Sequence, residues 1–365
     1  MIGGCDMTVK NQTFKRRGAH IAPNNRFEKY QRFTDNDFLE LCHKEDEWEG
    51  DDKTQFIEVF PKTIVNKVNS PDIGLGYSMN PYQGCEHGCI YCYARNSHEY
   101  WGYSAGSDFE RKVLVKKNAA DLLQQKFKSK SWKPTPIMLS GNTDCYQPAE
   151  ARFKLTREIL KVCLKHRHPV GIITKNALVL RDLDLLEELN YHQLVHVSVS
   201  ITSLDDDLRK KLEPRTASVH RRLQTVRRLS ACNIPVNVML APIIPGINGH
   251  ELIPLVKKVG EAGAANINYL VVRLNGHNGV LFTHWLKQHF PDRQRKVLNQ
   301  VKELHGGKVN DSRYGTRMKG EGTWAHEIKK QFEVAKSMYL QKKNYPGYNC
   351  SAFRRLDNDQ LSLFE

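Results

Sequence analysis

The chain lacks the sequence features of a membrane-spanning or exported protein. It has no run near the roughly 18 apolar residues that a membrane-spanning helix needs. Residues 1 to 6 (MIGGCD) lack the apolar core of a secretory signal. Of its 365 residues, 40% are hydrophobic and 26% are charged, which excludes a disordered chain. We therefore expect a folded, cytoplasmic protein with no membrane partner.

Acidic residues are the minority among the charged ones. Asp and Glu number 40 against 55 Lys and Arg, a formal net charge of +15. This balance suits a polyanion such as nucleic acid, although a soluble protein with a positive surface would share it. Residues 111 to 133 carry eight basic residues and one acid, and Arg221, Arg222, Arg227 and Arg228 repeat at helical spacing. Both groups favour DNA, and either one alone would also suit a solvated helix face.

No internal repeat with a period of about 20 to 50 residues is visible. Between residues 71 and 277, six short apolar runs alternate with amphipathic stretches, beginning near residues 75, 136, 170, 196, 235 and 267. This alternation is typical of βα units around a parallel sheet. We predict an α/β fold with an incomplete (βα)6 TIM-like barrel, because six units are too few for an eight-unit barrel.

The segments on either side of this core differ in character. Residues 1 to 70 mix basic and acidic stretches without sustained periodicity, so we predict an irregular N-terminal extension. Residues 278 to 345 form a predicted helical C-terminal region, whose amphipathic stretches are separated by glycines. Residues 346 to 365 are predicted to be a coil tail that ends in a short apolar cluster.

Three of the nine cysteines, Cys85, Cys89 and Cys92, lie within eight residues, in the segment NPYQGCEHGCIYCY. This CxxxCxxC array follows the first predicted strand, at the C-terminal mouth where barrel active sites are built. Three thiolates suit a 4Fe-4S cluster with one iron left open for an exogenous ligand. Structural zinc is the alternative, because it normally takes four protein ligands and His87 or His98 would supply the fourth.

With an aromatic residue, Tyr91, before its third cysteine, the array resembles the motif of the radical S-adenosylmethionine (SAM) superfamily. Further segments between residues 75 and 275 resemble spore photoproduct lyase and its relatives: CIYCYA (89–94), ITK (173–175), VSI (199–201), LEPRTAS (212–218) and MLAPIIPG (239–246). The resemblance implies that the open iron binds SAM. The reduced cluster would cleave SAM to a 5′-deoxyadenosyl radical, which abstracts hydrogen from a substrate.

The same resemblance implies roles for individual residues that bind SAM. Lys175, at the end of the third predicted strand, would pair with its carboxylate as a point charge. Ser200 on the fourth strand would hydrogen-bond the ribose or the carboxylate, and Tyr91 would contact the adenine. Ala241 and Pro242, in the segment APIIPG, would lie along the adenine edge.

Hydrogen transfer is where this chain departs from the lyase pattern. Tyr91 and Tyr93 match two tyrosines that are proposed in the lyase to pass the radical on, and covering the cluster loop is the alternative role of Tyr93. Where the lyase has a hydrogen-donating cysteine, this chain has Gly141. Cys145 is the candidate substitute, and we include its neighbour Asp144 among the cofactor-binding residues. The departure favours a relative that acts on another lesion or substrate.

The last residues resemble the peptide by which many bacterial DNA polymerases and repair proteins bind the sliding clamp. In the segment QLSLF, Leu361, Leu363 and Phe364 would be apolar anchors, and Gln360 would hydrogen-bond at the edge of the pocket. A polar tail exposes such anchors only where a partner accepts them. The alternative is a tail that folds back onto the barrel.

The sequence therefore predicts a radical SAM enzyme that acts on DNA or a nucleotide, in a repair reaction similar to that of spore photoproduct lyase. Its cofactors would be a 4Fe-4S cluster and SAM, and its electron donor a flavodoxin or a ferredoxin. The alternatives are a radical SAM enzyme that modifies RNA or tRNA, and a non-catalytic iron-sulfur adaptor at the replication clamp.

Overall fold

A computed structural model describes residues 17–27, 53–72, 74, 76–341 and 345–356. The strands within these residues are β1 (Gln55–Val59), β2 (Val65–Lys67), β3 (Tyr77–Met79), β4 (Tyr82–Gln83), β5 (Lys112–Lys116), β6 (Ile137–Leu139), β7 (Val170–Thr174), β8 (Val195–Ser200), β9 (Val236–Ile243) and β10 (Asn266–Val271). The α-helices are α1 (Ser107–Arg111), α2 (Ala119–Lys128), α3 (Ala149–Phe153), α4 (Leu155–Lys165), α5 (Leu183–Tyr191), α6 (Asp206–Leu212), α7 (Val219–Ala231), α8 (Leu252–Glu261), α9 (Asn278–His289), α10 (Gln294–Leu304) and α11 (Gly322–Tyr339). Segments of 3-10 helix are Tyr93–Trp101, Ala177–Asp182, Gly249–Glu251, Pro291–Arg293 and Cys350–Ala352.

The main sheet has the strand order β10-β9-β8-β7-β6-β3-β2. Six of its strands, β3 and β6 to β10, run parallel, and β2 pairs antiparallel with β3 at the edge. Strand β8 (VHVSVS) is rich in β-branched residues and is buried along most of its length, as expected for a parallel strand covered on both faces. The predicted incomplete (βα)6 barrel is confirmed.

Helices also follow β10. Helix α10, for example, buries Val297, Val301 and Leu304, a spacing that places the three side chains on one face. Helices α9, α10 and α11 lie within residues 278 to 345. No helix in the described parts of the chain is long and apolar enough to span a membrane.

A second sheet, with the order β1-β5-β4, was not expected. Strand β1 belongs to the extension that we predicted to be irregular, and it pairs in parallel with β5. Strand β5 (KVLVK) occupies the start of the basic stretch 111 to 133, so the helix α2 covers only part of that stretch. Strands β1 and β5 have five residues each and are far apart in the sequence, so hydrophobic periodicity does not reveal that they pair.

Residues 310 to 321 bridge the open side of the incomplete barrel. On the β10 side, Val271 N donates to Met318 O (3.0 Å). On the opposite side, Asp72, beyond β2, accepts from Gly315 N (2.7 Å) and forms an ion pair with Arg317. The bridging segment therefore joins the two edges of the sheet, which an eight-stranded barrel would join by strand pairing.

The segment 345–356 lies across the N-terminal ends of β7 and β8. Asn349 N donates to Gln193 O (2.9 Å), just before β8, and Arg354 N donates to His166 O (2.8 Å), just before β7. This side of the barrel is opposite the mouth at which the strands end. The clamp-like segment, Gln360 to Phe364, lies outside the described residues.

Candidate active site

The three cysteines lie on the loop between β4 and β5, which begins shortly after the end of β3 at the C-terminal mouth of the barrel. Cys85 and Cys89 are buried, Cys92 is half-buried, and all three are free thiols. Backbone hydrogen bonds fix the loop from two sides, because Cys85 N donates to Phe109 O (2.8 Å) and Ile90 N donates to Leu212 O (3.0 Å). These hydrogen bonds hold the loop with the three cysteines in place at the mouth.

A buried ion pair supports this loop. Arg95 Nε donates to Cys89 O (2.9 Å), and Arg95 Nη2 lies 2.5 Å from Glu110 Oε1. Glu110 also accepts from Gly18 N (2.9 Å), which fastens the segment 17–27 to the cysteine loop. A Cβ at Gly18 would lie 1.8 Å from Gly88 O, so the segment approaches this closely only with glycine there.

The donor set fits a cluster that carries negative charge. Burial raises the pKa of all three thiols above the ordinary value. The positive charge of Lys175 opposes this pKa rise at Cys89 and Cys92, and Arg95 also opposes it at Cys92. Thiolates facing two cations suit iron-sulfur ligation, in which each thiolate binds a different iron atom.

Both histidines considered as the fourth ligand of a zinc site have other neighbours. His87 Nδ1 faces Asp144 Oδ2 at 3.3 Å, and the ring of His98 packs against the rings of Tyr103 (5.2 Å) and Phe109 (5.6 Å). Within the described ranges, no three His, Cys, Asp or Glu side chains gather as ligands of a single metal ion. A structural zinc site requires that convergence, so the arrangement favours the cluster.

Lys175 lies directly after β7, beside the cysteine loop. Its Nζ is 5.9 Å from the centre of the Tyr91 ring. Burial disfavours its charged form, but the negative charges of Cys89 and Glu213 raise the pKa of Lys175 above its ordinary value. A charged ammonium at this position matches the predicted contact with the SAM carboxylate.

Asp144 connects the loops around Lys175. Its Oδ1 accepts from Thr174 Oγ1 (2.8 Å) and Tyr146 N (2.8 Å), while its Oδ2 accepts from Lys175 N (2.8 Å) and faces His87. Burial opposes ionisation, yet His87 and the backbone donors hold the pKa of Asp144 below its ordinary value. Both oxygens of Asp144 thus accept hydrogen bonds from the protein, and its contact with a cofactor stays a prediction.

Cys145 lies in the main hydrophobic core with no exposed surface. Its carbonyl accepts from Thr156 Oγ1 (2.6 Å) at the start of α4, and its amide N donates to Ser140 Oγ (2.8 Å), which follows β6. A hydrogen donor has to reach the substrate, and this position does not fit that expectation. Tyr93, by contrast, is 47% exposed, and its hydroxyl donates to Gly141 O. The Tyr93 hydroxyl thus contacts Gly141, the residue that stands where the lyase pattern has its donor cysteine.

The remaining predicted residues lie at the ends of β8 and β9. Ser200 is the buried last residue of β8, and its carbonyl accepts from Arg222 Nη1 (2.9 Å). Ala241 and Pro242 belong to β9, and Ala241 O accepts from Thr202 Oγ1 (3.1 Å). These residues therefore share the mouth of the barrel with the cysteine loop.

A buried residue that we did not single out, Glu213, joins these parts. Its carboxylate accepts from the Tyr91 hydroxyl, from Thr202 Oγ1 (2.6 Å) and from Arg222 Nη2 (2.6 Å). Burial would raise the pKa of Glu213, but the charges of Arg222 and Lys175 lower it to about 2. Glu213 lies in the segment LEPRTAS, which we used for the resemblance to spore photoproduct lyase without assigning a role to its glutamate.

Comparisons with known proteins agree with this geometry. The family model described as the radical SAM superfamily matches residues 79–259. An uncharacterized protein of Mycobacterium tuberculosis is 33% identical over 257 residues, which covers 70% of this chain and 74% of that protein. An uncharacterized protein of Methanocaldococcus jannaschii is 32% identical over 250 residues, covering 68% and 89% respectively. The chain belongs to the radical SAM superfamily.

Solved structures of spore photoproduct lyase are similar in fold. The lyase complexed with dinucleoside spore photoproduct has a TM-score of 0.58 and 16% identity, over 79% of this chain and 80% of that one. A variant of the lyase with bound AdoMet and dinucleoside spore photoproduct has a TM-score of 0.58 and 15% identity over the same shares. Identity at this level supports a shared fold and no more.

Proposed function

We propose that this protein uses a 4Fe-4S cluster to cleave SAM and acts on DNA or a nucleotide, in a repair reaction similar to that of spore photoproduct lyase. The observation that carries the proposal is the placement of three free thiols, two buried and one half-buried, beside Lys175 at the mouth of an incomplete barrel. Cys85, Cys89 and Cys92 would hold the cluster, and Lys175 would pair with the SAM carboxylate. When bound, the two cofactors supply an electron and a 5′-deoxyadenosyl radical for hydrogen abstraction.

The residues around these positions have supporting tasks in this proposal. Asp144 fixes the backbone of Lys175, and Glu213 fixes the phenol of Tyr91 through a hydrogen bond. Tyr91 would then present its ring to the adenine in one orientation. The buried pair of Glu213 and Arg222 keeps this end of the mouth rigid without exposing either charge to water.

Charge and fold support a nucleic-acid substrate. The net charge is +15, and Arg221, Arg227 and Arg228 are exposed on α7, whereas Arg222 is buried against Glu213. The lyase neighbours carry a dinucleoside lesion. A Cβ at Gly141 would lie 2.6 Å from Ser78 Cβ, so this position does not accommodate the cysteine of the lyase pattern without a shift.

Anaerobic purification tests the cofactor part of the proposal. We expect iron and sulfide in the ratio of a 4Fe-4S cluster, a charge-transfer absorption, and its loss when any one of the three cysteines is replaced by Ala. Lys175→Ala should weaken SAM binding and leave the cluster absorption intact. Stoichiometric zinc would contradict the proposal, and a reduced protein that forms no 5′-deoxyadenosine would support the adaptor function instead.

Crosslinking of the protein to nucleic acid under anaerobic conditions tests the substrate class. We expect recovered DNA; recovered tRNA would support the RNA-modifying alternative. We also propose a cytoplasmic location. The electron donor would be of the flavodoxin or ferredoxin type, because a radical SAM cluster must be reduced before it acts. Purified donors of both types should replace dithionite in forming 5′-deoxyadenosine.

The sliding clamp is a further proposed partner, through residues outside the described ranges. A peptide of residues 355 to 365 should bind a bacterial clamp with a Kd on the order of micromolar, because ordering a short tail offsets part of the apolar burial. Replacing Leu363 and Phe364 with Ala should abolish the binding. Equal binding by both peptides would contradict a clamp partner.

A further inference from the structure

Arg273 is a half-buried arginine at the mouth of the barrel. It lies two residues beyond Val271, the end of β10. Across the described ranges, its guanidinium forms no hydrogen bond and no ion pair. A guanidinium partly removed from water loses hydration that only an acceptor can replace. The position is therefore ready for an anion.

Hydrogen bonds fix the strand end that carries Arg273 relative to the cysteine loop. Asn96 Nδ2, on the 3-10 helix after the cysteines, donates to Asn275 O (2.9 Å). Asn278 Nδ2 donates to Cys92 O (2.9 Å). Arg273 thus has a defined place beside the proposed cluster site, on the β10 side of the mouth.

The charged groups around Arg273 do not neutralise it. Burial and the positive charge of Arg317 lower the pKa of Arg273, which Asp72 and Asp311 partly oppose. Asp72 is already paired with Arg317, and Asp311 lies 2.8 Å from Arg313 Nη2. Because both carboxylates are engaged elsewhere, an added anion at Arg273 would meet uncompensated positive charge.

Exposed aromatic rings lie on the same side of the mouth. Tyr93 is near enough to Arg273 for its ionised form to raise the pKa of Arg273, and Tyr93 is 47% exposed. Tyr314 is 56% exposed, and the guanidinium of Arg317 lies 4.4 Å from the centre of its ring. Exposed rings beside an arginine are the elements with which proteins stack the bases and bind the phosphates of unpaired nucleotides.

We propose that Arg273 binds a phosphodiester group of the substrate strand, with Tyr93 as the stacking surface for the adjacent base. This inference rests on the proposed function and adds the contact that selects a polynucleotide over a free base. The SAM carboxylate is a different anion, and it is assigned to Lys175 after β7, which is separated from β10 in the sheet by β8 and β9.

Arg273→Gln tests the proposal, and Arg167→Gln is its matched control. Arg167 is also half-exposed, but it lies before β7, on the opposite side of the barrel. Binding of fluorescein-labelled 12-nucleotide single-stranded DNA and RNA is measured by anisotropy over a series of salt concentrations. Arg273→Gln should weaken binding about tenfold and reduce the slope of log affinity against log salt by about 0.7, whereas Arg167→Gln should match the wild type.

Cofactor measurements separate the proposed role of Arg273 from the proposed radical SAM chemistry. Arg273→Gln should bind SAM and form 5′-deoxyadenosine without nucleic acid as the wild type does, and Arg273→Lys should restore part of the strand affinity. Wild-type affinity in Arg273→Gln, or a loss confined to SAM binding, would overturn the assignment to phosphodiester. Failure of the wild type to form 5′-deoxyadenosine would contradict the radical chemistry, which the binding series does not measure.

Discussion

At the scale of single residues, Glu213 connects three other residues at the mouth of the barrel, Tyr91, Thr202 and Arg222. Glu213→Gln keeps the shape and removes the charge, so the buried Arg222 would lose its counter-charge. We expect the free energy of unfolding to fall by about 3 to 5 kcal/mol, the range for a buried ion pair that loses one partner. Urea titration of the purified apoprotein measures this change.

The control for this substitution is an exposed ion pair. Asp184, whose side chain is 58% exposed, pairs with Arg157, and Asp184→Asn should cost no more than about 1 kcal/mol. Similar losses in the two variants would contradict the structural role of Glu213.

The depressed pKa of Glu213 also predicts how stability depends on pH. The pKa is about 2 in the folded protein and 4.5 ordinarily, so the folded state favours the ionised form. The resulting stabilisation is complete above about pH 4.5 and is lost as the pH falls from 4.5 toward 2. Unfolding free energies of the wild type and Glu213→Gln should therefore converge in acid. Curves that stay parallel between pH 6 and pH 3 would disagree with a pKa of about 2.

Some site residues were predictable because their chemistry depends on spacing. Three cysteines in one turn and a lysine after a strand are local features, and the structure brings them to one mouth. Glu213 was not predictable from pattern, because a glutamate at the end of a short helix is ordinarily a surface residue. The burial of Cys145 depends on how α4 packs on β6, which a sequence pattern does not specify.

At the scale of elements, the six parallel strands were predictable and the second sheet was not. Buried parallel strands are continuous apolar runs bounded by helices, so each one is visible by itself. The strands β1, β4 and β5 are short, and β4, with only two residues, is fully buried. Their pairing depends on how the cysteine loop folds between β4 and β5, which a local pattern does not reveal. Likewise, part of the predicted coil tail, residues 346–356, packs onto the barrel through aromatic contacts.

Phe353 is the residue through which that segment should contribute to stability. Its ring lies 5.8 Å from Phe127 and 5.6 Å from His168, measured between ring centres. Because Phe353 is half-buried, Phe353→Ala should lower the free energy of unfolding by about 2 kcal/mol, less than the loss for a fully buried phenylalanine. Met338→Ala on α11 is the control, since Met338 is 65% exposed and should change stability little. An equal effect of the two substitutions in thermal unfolding would show that the segment contributes no packing.

At the scale of the whole molecule, the described residues divide the surface into two sides. The mouth carries the cysteine loop, Lys175 and Arg273, while the segment 345–356 crosses the strand beginnings on the other side. The segment 345–356 therefore does not cover the mouth, which leaves the mouth open on the side where the strands end.

Because the surface has two sides, nucleic-acid binding should depend on where the positive charges lie and not only on the net charge. Replacing the exposed Arg221, Arg227 and Arg228 on α7 with Gln removes three charges, and so does replacing Lys302, Lys329 and Lys330 on α10 and α11. Both variants have a formal net charge of +12, obtained as 15 − 3. If α7 faces the phosphates, only the first variant should bind single-stranded DNA more weakly, with a salt slope reduced by up to about 2. Equal slopes in the two variants would mean that α7 is a solvated face, and nucleic-acid binding would then depend on the mouth alone.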